Sequence, residues 1–267
     1  MPEEAGDRLE NLVRQAGAVL MDHYGTQLTT ETKEDQSLVT AADLASEKLL
    51  ISSLRRWYPD DIVLAEESGL SSAGRRPGSA IWLIDPLDGT TNFANDYPFF
   101  CISVARGRFT AEGTIEPEWG AIYDPVRDEL FTASAGKGAW CNGRRLQVRP
   151  PRPLSRCFLA MGYYYQRGDV LREEVDRFAA VASVCQAIRR DGAAALDLAW
   201  VARGTYDAFW EKGLQLWDLA AGVLLIREAG GDVCNYPTED YNLEGEGVIA
   251  GSRCAVREVR DIINPSP

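Results

Sequence analysis

Two aspartates lie three residues apart in the segment WLIDPLDGTTNF, residues 82–93. They follow an apolar run typical of a buried strand, and Pro86 fixes φ and removes a backbone N–H, so we expect the chain to leave the strand there. The resulting turn can direct Asp85, Asp88 and the carbonyl of Leu87 into one space. These hard oxygen ligands suit Mg²⁺, with Mn²⁺ as an alternative. The spacing therefore predicts a cation site, since two or three cations would offset the repulsion between the carboxylates.

The residues that follow Asp88 are suited to binding phosphate. Gly89 permits a close approach of the backbone. A helix that starts after it would offer free N–H groups and the positive end of its dipole. The Thr90 hydroxyl could orient an attacking water. The pattern DxxDGT thus places candidate metal ligands directly beside a candidate phosphate site.

Other acidic side chains lie at predicted element boundaries. Glu66 and Glu67 follow a short apolar strand, Asp218 opens an apolar helix, and Asp43 stands three residues after Thr40. Each has a structural alternative. The glutamates could form a solvated turn, Asp218 could be a helix N-cap, and the segment from Thr40 to Asp43 is close to a capping box. Taken singly, capping is the favoured interpretation of Asp43 and Asp218.

The remaining sequence predicts an alternating arrangement of helices and strands. We expect helices at residues 7–24, 40–57, 169–183, 192–203, 218–231 and 253–262. Strands are expected at residues 62–65, 80–86, 99–107, 185–188 and 206–210. The segments 119–134 and 138–148 are also β-rich, with turn signals at Asp124-Pro125 and Asn142-Gly143, and short strands should precede the last helix. The fold class is therefore α+β or layered α/β, with helices alternating with mixed sheets. We expect a single domain over residues 1–267 with two packed halves, 1–150 and 151–267, joined by the proline-rich segment 150–155.

Composition excludes several kinds of chemistry. The 267 residues carry a net charge of −12, which argues against direct nucleic-acid binding, because phosphate neutralisation needs clustered Lys and Arg. His23 is the only histidine, so histidine-based catalysis is nearly excluded. The six cysteines form no CxxC pair, which is typical of reduced thiols in a cytoplasmic protein. The polar N-terminus and the lack of a long apolar run predict neither a signal peptide nor a membrane span.

Other phosphatase mechanisms fit the sequence poorly. A phospho-aspartate enzyme usually needs DxD, and here the spacing is DxxD. Cys254 and Arg260 have the spacing of a cysteine phosphatase, but the segment AVREV between them lacks glycine and predicts a helix. The chain contains no GxxxxGK[ST] motif, so a nucleotide-binding P-loop is not expected.

Three segments together resemble the inositol monophosphatase family. WLIDPLDGTTNF and WDLAAGVLLIREAGG are similar to its two signature segments, and LAEESG is similar to its glutamate site. The resemblance covers nearly the whole chain, from KEDQSLVTAAD to the final strands. It implies a Mg²⁺-dependent phosphomonoesterase that is usually a homodimer and often lithium-sensitive.

The resemblance also implies roles for individual residues. The expected metal ligands are Glu66, Asp85, the Leu87 carbonyl, Asp88 and Asp218. Thr90 and Asp43 match the pair that polarises the attacking water, assisted by Glu66, and Glu67 and Lys33 are secondary. The expected substrate contacts are Asp88, Gly89, Thr90, Gly192, Ala193, Ala194, Glu211 and Asp218.

The second half departs from the family pattern at two positions. Ala193 stands where Ser or Thr is frequent, and Asp191 adds a negative charge beside it. The expected substrate is myo-inositol 1-phosphate or a similar polyol phosphate, with histidinol phosphate and fructose 1,6-bisphosphate as alternatives. Glu211 could contact a polyol or an ammonium group, or it could be an exposed strand end. A non-catalytic binding or regulatory protein with this fold is the alternative of another class.

Overall fold

The computed structural model describes residues 3–26, 30–32, 38–71, 76–163, 168–236, 238 and 240–264. The helices are α1 (Glu3–His23), α2 (Ala41–Trp57), α3 (Thr90–Ala94), α4 (Asp169–Ala182), α5 (Ala194–Ala202), α6 (Leu216–Glu228) and α7 (Arg253–Ile263). The strands are β1 (Thr30–Thr32), β2 (Leu38–Thr40), β3 (Ile62–Ala65), β4 (Gly69–Leu70), β5 (Ala80–Asp88), β6 (Cys101–Phe109), β7 (Ile115–Asp124), β8 (Glu129–Ser134), β9 (Ala139–Cys141), β10 (Arg144–Arg145), β11 (Phe158–Met161), β12 (Ala187–Arg189), β13 (Ala208–Lys212), β14 (Asp232–Asn235) and β15 (Gly247–Gly251).

Helices and two mixed sheets alternate in layers. The first half forms an eight-stranded sheet in the order β10-β9-β8-β7-β6-β5-β3-β4. The second half forms a five-stranded sheet in the order β12-β11-β13-β15-β14. Helices α5 and α6 pack between the two sheets, α1 and α2 cover the outer face of the first, and α4 and α7 cover the outer face of the second. This arrangement confirms the predicted fold class.

Three apolar clusters hold these layers together. The central cluster lies around α5 and α6, whose side chains are apolar on nearly every face, such as Leu198 and Leu225. A helix that is apolar all round must be enclosed, which explains its place between two sheets. The outer helices are amphipathic and bury one face each, as Leu12 and Val259 show. Trp119 is 3% exposed and belongs to the core.

Strand β5 runs further than its proline suggested. Its residues pair with β6 up to Asp85, and pairing resumes at Asp88 after a register shift. Three residue steps in β5 therefore match two in β6, from Ser103 to Cys101, which is a one-residue bulge. The expectation that the chain leaves the strand at Pro86 was wrong. The bulge turns the backbone without ending the strand, because Pro86 needs no ladder hydrogen bond there.

None of the described helices is both long and apolar enough to cross a membrane. The cysteines at all six positions are free thiols. Cys254 and Arg260 lie in the regular helix α7, so their spacing does not form a phosphate-binding loop.

Candidate metal and phosphate site

The bulge at the end of β5 brings the DPLD segment to the edge of the central layer. Asp85 is 2% exposed, and its Oδ1 accepts a hydrogen bond from the Leu87 amide at 2.9 Å. Asp88 is the last residue of β5, on the other side of the same bulge. The charge of Asp88 acts on Asp85, so the two carboxyl groups lie close together.

A cluster of carboxylates surrounds this space. Burial raises the pKa of Asp85 well above its usual range, and the charges of Glu66, Asp88 and Asp218 raise it further. Burial likewise raises the pKa of Asp218, which is also within hydrogen-bond reach of Asp85. The structure thus brings together four predicted ligands from β5, from the turn after β3 and from α6.

Asp88 is held by the start of helix α5. Its Oδ2 accepts a hydrogen bond from the Ala195 amide at 2.7 Å. Burial raises the pKa of Asp88 to about 6, and the amides of Ala195 and Leu196 partly oppose that shift. The Cys101 thiol also donates to this carboxylate. Ala195, Leu196 and Cys101 were not predicted site residues, because backbone amides and a core cysteine give no sequence signal of such contacts.

Thr90 joins the carboxylate cluster to Asp43. Its hydroxyl lies 3.1 Å from Asp43 Oδ1 and 3.0 Å from the carbonyl oxygen of Leu87. The other Asp43 oxygen accepts from the amide and the hydroxyl of Thr40, at 2.8 and 2.6 Å. Asp43 is fully buried, and burial raises its pKa, which the hydrogen bonds from Thr40 and Thr90 partly offset. Asp43 therefore has one oxygen fixed by Thr40 and the other directed at Thr90.

Asp43 caps a helix and also contacts Thr90, so the two interpretations do not exclude each other. Thr40 and Asp43 form the capping box of α2. Asp218 plays the matching part in α6, where its Oδ2 accepts from the Gln215 amide at 2.7 Å. Asp218 is the third residue of its helix and not the N-cap, which is Gln215. In each residue one oxygen caps a helix, and the carboxyl group still lies beside the site.

Gly89 makes the tight turn from β5 into α3. Its φ is +92°, in the left-handed region that favours glycine. A Cβ at this position would lie 3.1 Å from both the Ala193 Cβ and the Phe99 carbonyl oxygen. The glycine is therefore required by conformation and by space, and it brings the turn against Ala193 at the start of α5.

The far end of the site contains Glu211. The strand position predicted a possible exposed end, but the carboxyl group is largely enclosed, and a Cβ on Gly162 would overlap it. Burial raises the pKa of Glu211 well above its usual range. The Arg190 guanidinium opposes that shift, and Asp218 and Asp88 add to it. Glu211 thus faces the same space as the metal cluster.

The donor set fits Mg²⁺. No three His, Cys, Asp or Glu side chains within the described residues form a closed group around one ion. Mg²⁺ usually keeps several waters and takes only one or two carboxylates together with substrate phosphate. An open cluster of carboxylates beside the Leu87 carbonyl has this character, and the mutual repulsion of its charges favours a divalent cation.

Comparison with known proteins identifies the family of this chain. A family model described as the inositol monophosphatase family matches residues 3–263. This chain belongs to the inositol monophosphatase family. Within that family it is 38% identical to Nus factor SuhB of Pseudomonas aeruginosa over 89% of this chain and 87% of the relative. It is 36% identical to inositol-1-monophosphatase of Synechocystis over 96% and 87%, respectively.

Solved structures of this family share the fold. The extragenic suppressor protein SuhB of Bartonella henselae superposes with a TM-score of 0.90 at 34% identity, covering 99% of this chain and 100% of the other. An IMPase/NADP phosphatase solved with Mg²⁺ and phosphate superposes with a TM-score of 0.83, covering 99% and 96%. At 23% identity the second likeness shows the fold alone.

Most residues that the inositol monophosphatase resemblance implied meet at one place. Glu66, Asp85, Asp88 and Asp218 form the carboxylate cluster, Thr90 and Asp43 adjoin it, and Gly89 contacts Ala193. The Glu67 amide donates to Glu47 at 2.9 Å, which ties the turn after β3 to α2. Lys33 lies outside the described residues. Thr40, which holds Asp43, was interpreted from the sequence only as a cap.

Proposed function

We propose that this chain is a Mg²⁺-dependent phosphomonoesterase that hydrolyses myo-inositol 1-phosphate or a similar polyol phosphate. The observation that carries the proposal is the Thr90 hydroxyl, which stands between the Asp43 carboxylate and the carboxylate cluster. A hydroxyl between a fixed acceptor and a cation site is suited to activating water for direct attack on phosphorus.

Glu66, Asp85, the Leu87 carbonyl, Asp88 and Asp218 would hold the ions, which we expect to number two or three. When bound, Mg²⁺ would neutralise charge on the phosphate and lower the pKa of a coordinated water. Mn²⁺ should substitute, because it prefers the same oxygen ligands.

Thr90 and Asp43 would move the proton of the attacking water. A hydroxyl has one proton and two lone pairs, so Thr90 can donate to Asp43 Oδ1 while it accepts from water. Asp43 cannot turn away, because Thr40 holds its other oxygen. We expect Glu66 to assist at the same water, and Glu67 and Lys33 to have secondary roles.

The glycine turn and the start of α5 would bind the substrate. The amides of Gly89 and Thr90 would hold the phosphate, and Asp88 and Asp218 would adjoin the ester oxygen. Gly192, Ala193, Ala194 and Glu211 would contact the polyol. The buried Glu211 carboxyl group is suited to hydroxyls, because it can pair with several of them in a water-poor space.

Phosphate release from a substrate panel tests this function. We would compare inositol 1-phosphate, histidinol phosphate, fructose 1,6-bisphosphate and adenosine 3′,5′-bisphosphate with Mg²⁺ and with a chelator. Asp88→Asn should abolish release. Asp96→Asn, the same isosteric change at an exposed turn residue nearby, should leave it unchanged.

Each outcome separates the alternatives. A preference for inositol 1-phosphate that disappears with chelator supports the proposal. A preference for histidinol phosphate would retain the metal chemistry and overturn the substrate. Full activity of Asp88→Asn would overturn the metal assignment.

A regulatory role is the second candidate function. It is favoured by the name of the Pseudomonas relative, a Nus factor. Absence of phosphate release from all four substrates, in a protein that still binds Mg²⁺, would favour this candidate.

We also propose that the protein is a cytoplasmic homodimer and that lithium inhibits it. Light scattering on the purified protein and phosphate release in the presence of Li⁺ test the oligomeric state and the inhibition.

A further inference from the structure

Helix α2 carries a row of buried polar side chains. Ser46 and Glu47 follow Asp43 by three and four residues, so the three share one face of the helix. Asp43 and Ser46 are fully buried, and Glu47 is 4% exposed. Buried polar groups are normally hydrogen-bonded, so the partners of this row show which segments α2 holds. Asp43 holds Thr90, and the other two residues hold two further segments of the candidate site.

Ser46 holds the bulge of β5. Its hydroxyl donates to the Pro86 carbonyl oxygen at 3.0 Å, and both groups are buried. Pro86 lies inside the bulge, between the paired residues Asp85 and Asp88. The hydroxyl from α2 therefore supplies a hydrogen-bond partner at the point where the pairing with β6 is interrupted. This contact fixes the backbone of the segment that carries three of the proposed metal ligands.

Glu47 holds the turn that carries Glu66. Its Oε2 accepts a hydrogen bond from the Glu67 amide at 2.9 Å. The preceding amide, that of Glu66, donates to the Ile84 carbonyl oxygen of β5 at 3.1 Å. Two successive amides of the turn are thus fixed from two elements, one by β5 and the other by α2. The position of Glu66 relative to the bulge therefore depends on the Glu47 side chain.

We propose that Ser46 and Glu47 are positioning residues that hold the bulge of β5 and the turn after β3 at the separation that Mg²⁺ requires. The proposal rests on the proposed function only for the assignment of the metal ligands. Mg²⁺ demands short bonds in nearly ideal octahedral geometry, whereas Ca²⁺ accepts longer bonds in flexible arrangements. A fixed separation between the two ligand-bearing segments therefore favours Mg²⁺ over Ca²⁺, and α2 provides it through two hydrogen bonds to backbone groups.

Four variants of the full-length protein test this arrangement. Ser46→Ala removes the donor to Pro86 without changing the charge. Glu47→Ala removes both the acceptor and the charge, whereas Glu47→Gln removes the charge and keeps an oxygen that can accept from the Glu67 amide. Ser52→Ala is the control, because the exposed Ser52 hydroxyl of the same helix donates only within α2, to the Leu49 carbonyl oxygen. The readouts are the dissociation constants of Mg²⁺ and of Ca²⁺, measured by calorimetry.

We expect Mg²⁺ binding to weaken about tenfold in Ser46→Ala and in Glu47→Ala, the lower end for partners that orient metal ligands. Ca²⁺ binding should weaken less, so the ratio of the two dissociation constants should shift towards Ca²⁺. Glu47→Gln should weaken the binding of both ions by a similar factor and leave the ratio unchanged, because a lost charge acts on both ions alike. Ser52→Ala should change neither constant. If Glu47→Ala fails to fold, Ser46→Ala provides the same comparison, because it removes a single oxygen atom.

An unchanged ratio of the two dissociation constants in either alanine variant would overturn the positioning role of that residue. A ratio that shifts as far in Glu47→Gln as in Glu47→Ala would overturn the role of the hydrogen bond to the Glu67 amide. Phosphate release is measured separately on the wild type. A wild type that binds Mg²⁺ without releasing phosphate would refute the proposed function and leave this test intact.

Discussion

Both ends of the site contain carboxyl groups, but the groups that surround these carboxyls differ between the two ends. At the metal end, the charges that act on Asp85 are those of Glu66, Asp88 and Asp218, and all raise its pKa. At the far end, Asp191 accepts a hydrogen bond from the Tyr206 hydroxyl, and the Arg190 guanidinium opposes the raised pKa of Glu211.

This difference separates a site that needs an ion from one that the protein completes itself. Buried charges must be paired or neutralised. The far end has a tyrosine and an arginine beside its carboxyl groups. The metal end would meet it with divalent cations, so substitutions at the two ends should have different consequences.

The largest effect should come from Asp85→Asn. Losing a buried ligand should lower kcat/KM by about 1,000-fold or more, about 4 kcal/mol of transition-state stabilisation. The melting temperature of the metal-free protein should stay the same or rise, because a neutral amide relieves repulsion. Asp191→Asn, the same change at the far end, should keep nearly full activity, because the new amide oxygen can still accept from Tyr206. Equal losses in the two variants would contradict the comparison.

Thr90→Ala should have the next largest effect. Loss of the hydroxyl that links water to Asp43 should lower kcat on the order of 10²- to 10⁴-fold, with KM little changed. Thr90→Ser should retain most activity, and Thr91→Ala at the exposed neighbour provides the control. Steady-state kinetics with inositol 1-phosphate measure the effect. An inactive Thr90→Ser variant would argue against the hydroxyl as the essential group.

The free energy of unfolding of the metal-free protein should depend on pH. The raised pKa values of the carboxyl groups at the metal end determine whether it rises or falls. The pKa of Asp88 is raised from 3.8 to about 6, so the folded state binds more protons than the unfolded chain between these values. The free energy of unfolding should therefore fall as pH rises through this window. Asp85 and Asp218 shift in the same direction and extend the fall to higher pH.

Melting temperatures measured with chelator and with Mg²⁺ test this prediction. Mg²⁺ binds the ionised carboxylates, so its stabilising effect should grow with pH. A metal-free melting temperature that rises across the same window would contradict the assignment of these shifts to the carboxylate cluster.

The smallest effect should come from Glu211→Gln. The amide keeps most of the contacts, so the loss of about one hydrogen bond, roughly 1 kcal/mol, should raise KM about fivefold with kcat nearly unchanged. Kinetics with inositol 1-phosphate and with histidinol phosphate measure it. A larger rise for histidinol phosphate would indicate that Glu211 also binds an ammonium group.

Local sequence patterns predicted much of the fold and most of the site. Apolar periodicity located the helices and most strands, because it reports which face each element buries. The prediction of a strand ending at Pro86 was wrong, since a bulge allows a proline inside a paired strand. The strand near 185–188 was placed two residues early, at a position where only three residues, Ala187–Arg189, pair.

Contacts between distant segments could not be predicted in the same way. Asp43 and Thr90 are 47 residues apart, and Asp88 and Ala195 are 107 apart. At the level of local sequence, helix capping is a sufficient explanation of Asp43 and Asp218. No local pattern of residues therefore indicated that both side chains also lie at the candidate site.

The sequence by itself determined the chemistry available: the hard oxygen ligands of DPLD, the glycine that permits a left-handed turn, the hydroxyl beside it, and the absence of a catalytic histidine. The tertiary structure alone decided how these groups are held. Packing α5 between two sheets brings its first amides to Asp88, and the turn before it brings the Asp191 carbonyl to Asn92. These are long-range contacts set by the packing of whole layers, and no local pattern of residues specifies them.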